Sequence, residues 1–189
     1  MATVTRLSFS GDENADHFIS TNPLALVVGM LLDQQVPMER AFAAPYQLTG
    51  RLGVGFDATA IASMLPKDLE ACFRTPPALH RYPGVMARRV QALCRYIVEH
   101  HAGDAAAIWN DCDSGIEVLG RARALPGFNE HKARILVALL GKQLGVTPTG
   151  WEAAAGGYGL PGYRSIADVT DRESLDRVRA YRREYANGR

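Results

Sequence analysis

The feature that most constrains this chain is a pair of helix-forming segments at residues 114–144, separated by a turn of only a few residues. Both flanks have a helical pattern, and after the turn the apolar side chains recur at intervals of three and four residues. Asp113 or Ser114 is placed to cap the first helix, and Gly145 stands where the second should end. Two helices joined so closely form an αα-hairpin.

The turn reads Leu125-Pro126-Gly127-Phe128-Asn129, and these residue types suit a backbone that approaches another molecule. Pro126 cannot continue the first helix and has no N–H donor. Gly127 tolerates positive φ and leaves room for another backbone, and Asn129 also tolerates a left-handed conformation. The second helix then begins with unpaired N–H groups and a positive dipole end, which together form an anion site suited to phosphate. Lys132 adds a cation beside that site. Further cations of this segment are Arg121, Arg123, Arg134 and Lys142.

A second informative segment is the helix predicted over residues 23–36, which Asn22 and Pro23 are suited to begin. Its side chains are apolar on nearly every side, so we expect a buried central helix. The far end of this helix, where side chains can leave the core, carries Asp33, Gln34 and Gln35.

These two segments resemble one known family. The hairpin sequence at residues 125–129, followed by Lys132 and Ala133, resembles the helix-hairpin-helix signature of the helix-hairpin-helix/Gly-Pro-Asp (HhH-GPD) superfamily of DNA glycosylases, which includes endonuclease III. Residues 30–36 are similar to the family's apolar helix that ends in a Gln-containing motif. The two matches stand in the family's order and cover roughly residues 23–145. The family's hairpin usually reads Leu-Pro-Gly-Val-Gly, so Phe128 and Asn129 are departures from it.

The resemblance implies an all-α fold of two helical lobes with a cleft between them. It suggests one domain over residues 1–189, in which the N- and C-terminal segments are candidates to form one lobe. It further implies double-stranded DNA as the partner and hydrolysis of the N-glycosidic bond of a damaged base, without a metal or an organic cofactor.

The resemblance also assigns a role to the end of the apolar helix. In the family, a side chain at the Gln35 position fills the gap left when a base rotates out of the duplex, and a polar amide can replace the lost hydrogen bonds. The alternative for Gln34 and Gln35 is a helix-end glutamine that bonds to nearby backbone. Asp33 is either a surface charge or a polar residue lining the cleft.

The catalytic positions depart from the family's pattern. His131 stands where bifunctional members carry a nucleophilic lysine, and Lys132 points about a quarter-turn away, so a Schiff-base lyase mechanism is not predicted. The family's catalytic aspartate follows the second hairpin helix, but residues 146–151 here contain no acid. Asp168 is the first candidate to replace it, and Glu152, at the start of a short predicted helix, is the second. The alternative is that no catalytic acid exists.

Aromatic residues cluster near the glycine-rich insertion at residues 156–163. Trp151, Tyr158 and Tyr163 are candidates to stack on a flipped base, an interaction worth about 1–3 kcal/mol per ring. Core packing is the alternative, and it is favoured for Trp151. The last predicted helix either extends a basic face or is a solvated surface; its arginines are Arg177, Arg179, Arg182 and Arg183.

Composition narrows the class of protein. Hydrophobic residues make up 47% of the chain and charged residues 22%, as in an ordinary globular protein. The longest apolar run, residues 24–32, is too short to cross a bilayer, and the first residues lack the apolar core of a signal peptide. We therefore expect a cytoplasmic protein, and we expect it to be a monomer.

Thr3, Val4 and Thr5 begin a segment that permits a short extended strand.

Cysteine spacing and charge distribution add two further expectations. Cys72, Cys94 and Cys112 show no Cys-x-x-Cys spacing, which argues against disulfides, zinc and the iron–sulfur cluster of some family members. Residues 1–70 hold four basic and eight acidic residues, a net charge of −4, whereas residues 114–189 hold twelve and eight, a net charge of +4. A basic face can follow a phosphate backbone even when the whole protein is nearly neutral.

Three functions are consistent with these observations. The first is a DNA glycosylase of base-excision repair. The second is a lesion- or structure-sensing protein that grips DNA but lacks the catalytic aspartate. The third is a helical scaffold for protein partners, which would have no salt-dependent affinity for DNA.

Overall fold

The computed structural model describes residues 6–187, and within them the chain contains α-helices, short 3₁₀ segments and no β-strand. The predicted all-α class is confirmed. Of the segment expected to be extended, Thr3–Thr5 lie outside the described residues, and residues 6–9 belong to neither a helix nor a strand. The chain divides into two compact units. The single domain over residues 1–189 stays a prediction, and so does the cleft between two lobes.

The first unit comprises residues 10–110 and 125–127. Its centre is the second of its helices, in which every residue after Pro23 is buried, as predicted for an apolar central helix. Gly29 lets the ring of Phe42 lie against this helix, since a Cβ at Gly29 would come within 2.6 Å of Phe42 Cδ1. The helices of this unit are α1 (Glu13–Thr21), α2 (Pro23–Leu32), α3 (Met38–Thr49), α4 (Ala58–Ser63), α5 (Pro66–Arg74) and α6 (Pro83–His101).

Helix α2 ends at Leu32, and the prediction that it runs to residue 36 is wrong. The ring nitrogen Nε2 of His80 lies 3.2 Å from the carbonyl oxygen of Leu32 and 3.0 Å from that of Gln34. The side-chain amide of Gln34 donates to the carbonyl of Leu31 at 2.6 Å. Because side chains bind these last carbonyls, the chain can leave the helix and form a compact turn.

Two properties of the chain bear on the predictions about membranes and cysteines. Among residues 6–187, no single helix is both long enough and apolar enough to cross a membrane. The cysteines at positions 72, 94 and 112 are free thiols. Burial raises the pKa of Cys94 to about 12, and burial also raises the pKa of Cys72. These two thiols therefore stay protonated and unreactive near neutral pH.

The second unit comprises residues 111–124 and 128–187 together with residues 6–9, within the part of the chain that the structure describes. Its centre is the helix after the turn, whose side chains from Ile135 to Leu140 are all buried. Ser114 caps the helix before the turn, because its hydroxyl accepts from Glu117 N at 3.3 Å. The helices are α7 (Gly115–Ala124), α8 (Glu130–Gln143), α9 (Trp151–Ala155) and α10 (Arg172–Asn187).

Trp151 is held by close approach to two glycines of this unit. A Cβ at Gly141 would lie 2.2 Å from Trp151 Cε3, and a Cβ at Gly115 would lie 2.3 Å from Trp151 Cα. A backbone hydrogen bond adds to the contact between these segments, since Gly115 N donates to the carbonyl of Thr149 at 2.9 Å. The absence of side chains at two helix positions therefore lets α9 lie directly against α7 and α8, and Trp151 packs there.

Replacing Gly141 with alanine is expected to lower the free energy of unfolding by about 1–3 kcal/mol, because the indole ring must move to admit a methyl group. Gly120→Ala is the matched control, because Gly120 also lies inside a helix but a methyl group there would meet no atom within 4 Å. That change should stabilise the protein by about 0.5–1 kcal/mol. Urea denaturation followed by circular dichroism measures both, and equal effects would contradict the packing described.

Candidate functional site

The turn between α7 and α8 depends on Gly127, which is exposed and has φ +83°. A side chain is strained at this φ, and a Cβ would lie 2.4 Å from Leu31 Cδ1, so any other residue would require Leu31 of α2 to move. In the described part of the chain, the N–H groups of Gly127 and Asn129 have no acceptor. The turn therefore presents backbone donors to solvent, as its sequence predicts.

Asn129 is the N-cap of α8 and is not left-handed. Its backbone is extended, with φ −97° and ψ 176°, and its Oδ1 accepts from Lys132 N at 2.8 Å. Asparagine tolerates a left-handed conformation, but here the side chain caps the helix best from an extended backbone, and Gly127 already supplies the positive φ. The cap leaves the N–H groups of Glu130 and His131 without an acceptor among the described residues.

The six hairpin residues predicted to bind DNA divide into two groups. Leu125 and Phe128 are buried, with 2% and 7% of their surfaces exposed, so their side chains can only position the backbone. Gly127 and Asn129 are exposed, and Pro126 is half-buried. Lys132 is also half-buried, and its Nζ lies 5.9 Å from the centroid of the Phe128 ring.

The cations expected to strengthen the anion site are paired within the protein. The carboxylate of Glu130 joins the two helices, because Oε2 lies 2.8 Å from Arg123 Nε and Oε1 lies 2.7 Å from Arg134 Nε. The other two hairpin cations form the salt bridges Arg121–Glu117 and Lys142–Asp168. The positive charge of these four residues is thus largely neutralised, and among their ion pairs Arg123–Glu130 links α7 to α8.

The residues after α2 separate into a fixed glutamine and an exposed one. Gln34 is fixed, since its Oε1 accepts from Arg89 Nη1 at 2.8 Å while its amide caps α2. Gln35 is exposed, and its side chain has no hydrogen-bond partner among the described residues. Its φ of +58° is a left-handed conformation that costs a non-glycine residue about 1–2 kcal/mol. Asp33 is the half-buried C-cap of α2.

His80 fixes this turn, and no local sequence pattern points to it. Burial lowers the pKa of His80 and outweighs the two carbonyls that favour the charged ring. Its Nδ1 accepts from Tyr82 N at 3.0 Å, so the proton lies on Nε2, which faces the carbonyls of Leu32 and Gln34. A neutral, buried imidazole therefore holds the backbone that presents Gln35.

The second unit contains a cavity of about 610 Å³ beside the start of α8. His131 and Tyr158 form its most specific contact: Tyr158 Oη lies 2.7 Å from His131 Nδ1, and the two rings meet edge to face. Tyrosine, arginine and glycine residues complete the wall. The lining residues are His131, Ile135, Gly157, Tyr158, Arg164, Tyr181, Arg182 and Tyr185.

The protonation states of this pair follow from its surroundings. Burial lowers the pKa of His131, and the positive charges of Arg182 and Lys132 lower it further. Burial raises the pKa of Tyr158, and the neighbouring hydroxyls of Tyr181 and Tyr185 act in the same direction. Near neutral pH the imidazole is therefore neutral and the phenol protonated. When the Tyr158 hydroxyl donates to Nδ1, the imidazole proton lies on Nε2.

Neither predicted catalytic acid lines the cavity. Asp168 accepts from Lys142 Nζ at 2.6 Å through Oδ1, and its Oδ2 accepts from the N–H groups of Arg164 and Ser165. These contacts give Asp168 a structural role, and its catalytic role stays a prediction that the geometry does not favour. Glu152 is exposed in the first turn of α9. Among residues 6–187, no three His, Cys, Asp or Glu side chains are grouped to hold a metal ion.

The predicted aromatic residues also have different positions. Tyr158 lines the cavity, whereas Trp151 and Tyr163 do not. Trp151 packs on Gly141, as the packing alternative required. Tyr163 lies beneath the guanidinium group of Arg177, whose Cζ is 4.9 Å from the ring centroid. Only Tyr158 of the three is therefore placed to contact a ligand in this cavity.

An all-α chain in which α7 and α8 meet at an exposed Gly127 turn with unpaired N–H groups is a helix-hairpin-helix protein, a class suited to nucleic-acid phosphates. Residues 28–187 match the family described as HhH-GPD superfamily base excision DNA repair protein, and the chain belongs to this family. The resemblance is thereby confirmed, and membership implies DNA as a partner. Comparison with curated proteins and with solved structures gave no match.

The structural role of Asp168 predicts that Asp168→Asn lowers the free energy of unfolding by about 3 kcal/mol, because it leaves Lys142 without its carboxylate in a largely buried site. The Asp168 side chain is only 6% exposed. Glu152→Gln is the matched control, and we expect its stability to stay within about 0.5 kcal/mol of the parent. Chemical denaturation measures both changes. An Asp168→Asn protein of full stability that has lost base release would instead restore the catalytic assignment.

Proposed function

We propose that this protein is a DNA N-glycosylase that removes a damaged base from duplex DNA. The observation that carries the proposal is the cavity beside His131, whose volume of about 610 Å³ lies within the range of small-molecule sites. A base-excision enzyme must take the target base out of the stack and hold it in a pocket. Helix α8 forms part of this cavity, and the same helix begins at the hairpin turn.

The turn is proposed to bind the phosphate backbone. The unpaired N–H groups of Gly127 and Asn129 are donors, the N-terminus of α8 favours an anion, and Lys132 supplies a nearby positive charge. Contacts of this kind carry no base information, so they fix the position of the protein on DNA without selecting a sequence.

Gln35 is proposed to enter the duplex where the base has left. The support for this role is that Gln34 and His80 form hydrogen bonds to the backbone of this turn, while the Gln35 side chain is exposed on a strained backbone. Strain that the surrounding structure maintains is common at functional sites. An amide with both donor and acceptor groups can bond to the base left without a partner.

The proposed reaction is hydrolysis, with no metal or organic cofactor and no Schiff base. Neither Lys132 nor Lys142 lines the cavity, and His131 occupies the position expected for a nucleophilic lysine. The neutral imidazole and the Tyr158 hydroxyl are proton-bearing groups that contact each other at the cavity wall. They are the candidates to hydrogen-bond a base as it departs.

A second candidate function is a lesion- or structure-sensing DNA-binding protein without catalysis. The specific observation that favours it is the lack of a carboxylate: residues 146–151 contain none, and none from the residues that the structure describes lines the cavity. Such a protein would bind through the same turn and would hold an extruded base without releasing it.

Duplexes that each contain one damaged base test the proposal, because alkali breaks the strand only where a base has been released. We expect release from at least one duplex. Lys132→Ala should raise the half-saturating protein concentration and reduce the salt slope of binding by about one, since one phosphate contact is lost. The rate of base release at saturating protein concentration should not change.

Lys67→Ala is the matched control, because Lys67 is exposed in the first turn of α5 and stands apart from the hairpin in sequence. Its half-saturating concentration should equal that of the parent. Tight binding with no release from any duplex would exclude the enzyme and leave the sensor. An affinity that Lys132→Ala leaves unaltered would remove the proposed role of this lysine in the turn.

A further inference from the structure

The charges around the cavity differ from those on the rest of the second unit. Most arginines of that unit are paired with a carboxylate, as are the two that Glu130 binds. Arg164 and Arg182 both line the cavity, and neither guanidinium group forms a salt bridge with a described residue. Two uncompensated positive charges therefore face one aromatic cavity.

The polar groups of the wall are rich in hydrogen-bond donors. Arginine side chains can only donate, and within the described part of the chain no aspartate or glutamate lines the cavity. When Tyr158 donates to His131 Nδ1, the imidazole offers a further N–H from Nε2. Tyr181 and Tyr185 add two aromatic rings, which stack on each other with centroids 6.0 Å apart. The wall thus suits a flat ring that carries acceptor oxygens.

These features discriminate between classes of damaged base. A deaminated or oxidised base such as uracil, hypoxanthine or xanthine is uncharged or anionic and presents carbonyl oxygens. A base alkylated on a ring nitrogen, such as 7-methylguanine or 3-methyladenine, is positively charged while attached to the sugar. Arg164 and Arg182 repel that charge, and no carboxylate of residues 6–187 lines the cavity to offset the repulsion.

We propose that the cavity selects carbonyl-rich, uncharged or anionic bases and excludes cationic alkylated bases, through Arg164, Arg182 and the His131–Tyr158 pair. This inference rests on the proposed function, because it assumes that the cavity receives an extruded base. It deepens that function by stating which chemical class of lesion the site accepts.

The same groups act on the departing base. When the bond between C1′ and the base nitrogen breaks, its electron pair passes to the base, which becomes anionic if it began uncharged. Water supplies the oxygen that bonds to C1′, and a proton of that water ends on the released base. Preorganised donors stabilise charge that develops in the transition state. A cationic base becomes uncharged as it leaves, so donors that stabilise negative charge do not speed its release.

The test measures base release from two sets of duplexes, one set with uracil, hypoxanthine or xanthine and the other with 7-methylguanine or 3-methyladenine. We expect release from a member of the first set to be about tenfold faster or more than release from the second set, after each rate is divided by the uncatalysed rate. Arg182→Gln should slow release of the carbonyl-rich base about tenfold or more, as expected for a hydrogen bond to a charged group.

Arg172→Gln is the matched control on the same helix, because Arg172 has an 85% exposed side chain and does not line the cavity. The Arg172→Gln variant should release the carbonyl-rich base at the same rate as the parent protein. Affinity for an undamaged duplex is measured in parallel. If Arg182→Gln weakens that affinity as much as it slows release, Arg182 binds phosphate and the inference fails.

A second measurement separates failure of the inference from failure of the proposed function. The nucleosides xanthosine and 1-methyladenosine, of which the second stays positively charged near neutral pH, are titrated while NMR follows the rings of His131 and Tyr158. Shifts with xanthosine but not with 1-methyladenosine, even without base release, would support the selectivity and overturn the enzyme. Release of 7-methylguanine or 3-methyladenine in preference to the first set would support the enzyme and overturn the selectivity. Neither binding nor release would overturn both.

Discussion

The left-handed conformation of Gly127 is the constraint on which the rest of the site depends. At φ +83° the chain reverses between α7 and α8, and a Cβ at this position would collide with Leu31. The reversal leaves the N–H groups of the turn facing solvent, while the buried side chains of Leu125 and Phe128 anchor it on both sides. The Glu130 carboxylate then bridges Arg123 and Arg134, which ties the end of α7 to the start of α8.

The first turn of α8 brings together the backbone donors of the hairpin and one wall of the cavity. Asn129 caps the helix, and Lys132 extends from its third residue near the backbone donors. Between them, His131 points its imidazole to Tyr158 at the wall of the cavity. One helix start therefore supplies both the proposed phosphate contact and a wall of the proposed base pocket. Any shift of this turn would alter the proposed phosphate contact and the proposed base pocket together.

Local patterns in the sequence predict much of this arrangement, and long-range contacts explain what they miss. The spacing of apolar residues is sufficient to predict the two helices of the hairpin and the buried helix α2, since each shows in the sequence as a pattern of apolar residues. The early end of α2 depends on His80, which lies 46 residues beyond Gln34 and has no local signal. The pairing of Lys142 with Asp168 likewise joins distant segments. The cavity combines α8 with Tyr181 and Arg182 of the last helix, which no spacing rule connects.

The most direct test of the account is amide hydrogen exchange at the turn, measured by NMR with and without an undamaged duplex at low salt. Phosphate bound to the turn should slow exchange at Gly127 and Asn129, and added salt should reverse the effect. Gly53, an exposed glycine with φ +65° in another loop, serves as the reference, and its amide exchange rate should not change. Unaltered exchange at Gly127 and Asn129 in a protein saturated with DNA would contradict the account, because the duplex would then bind elsewhere.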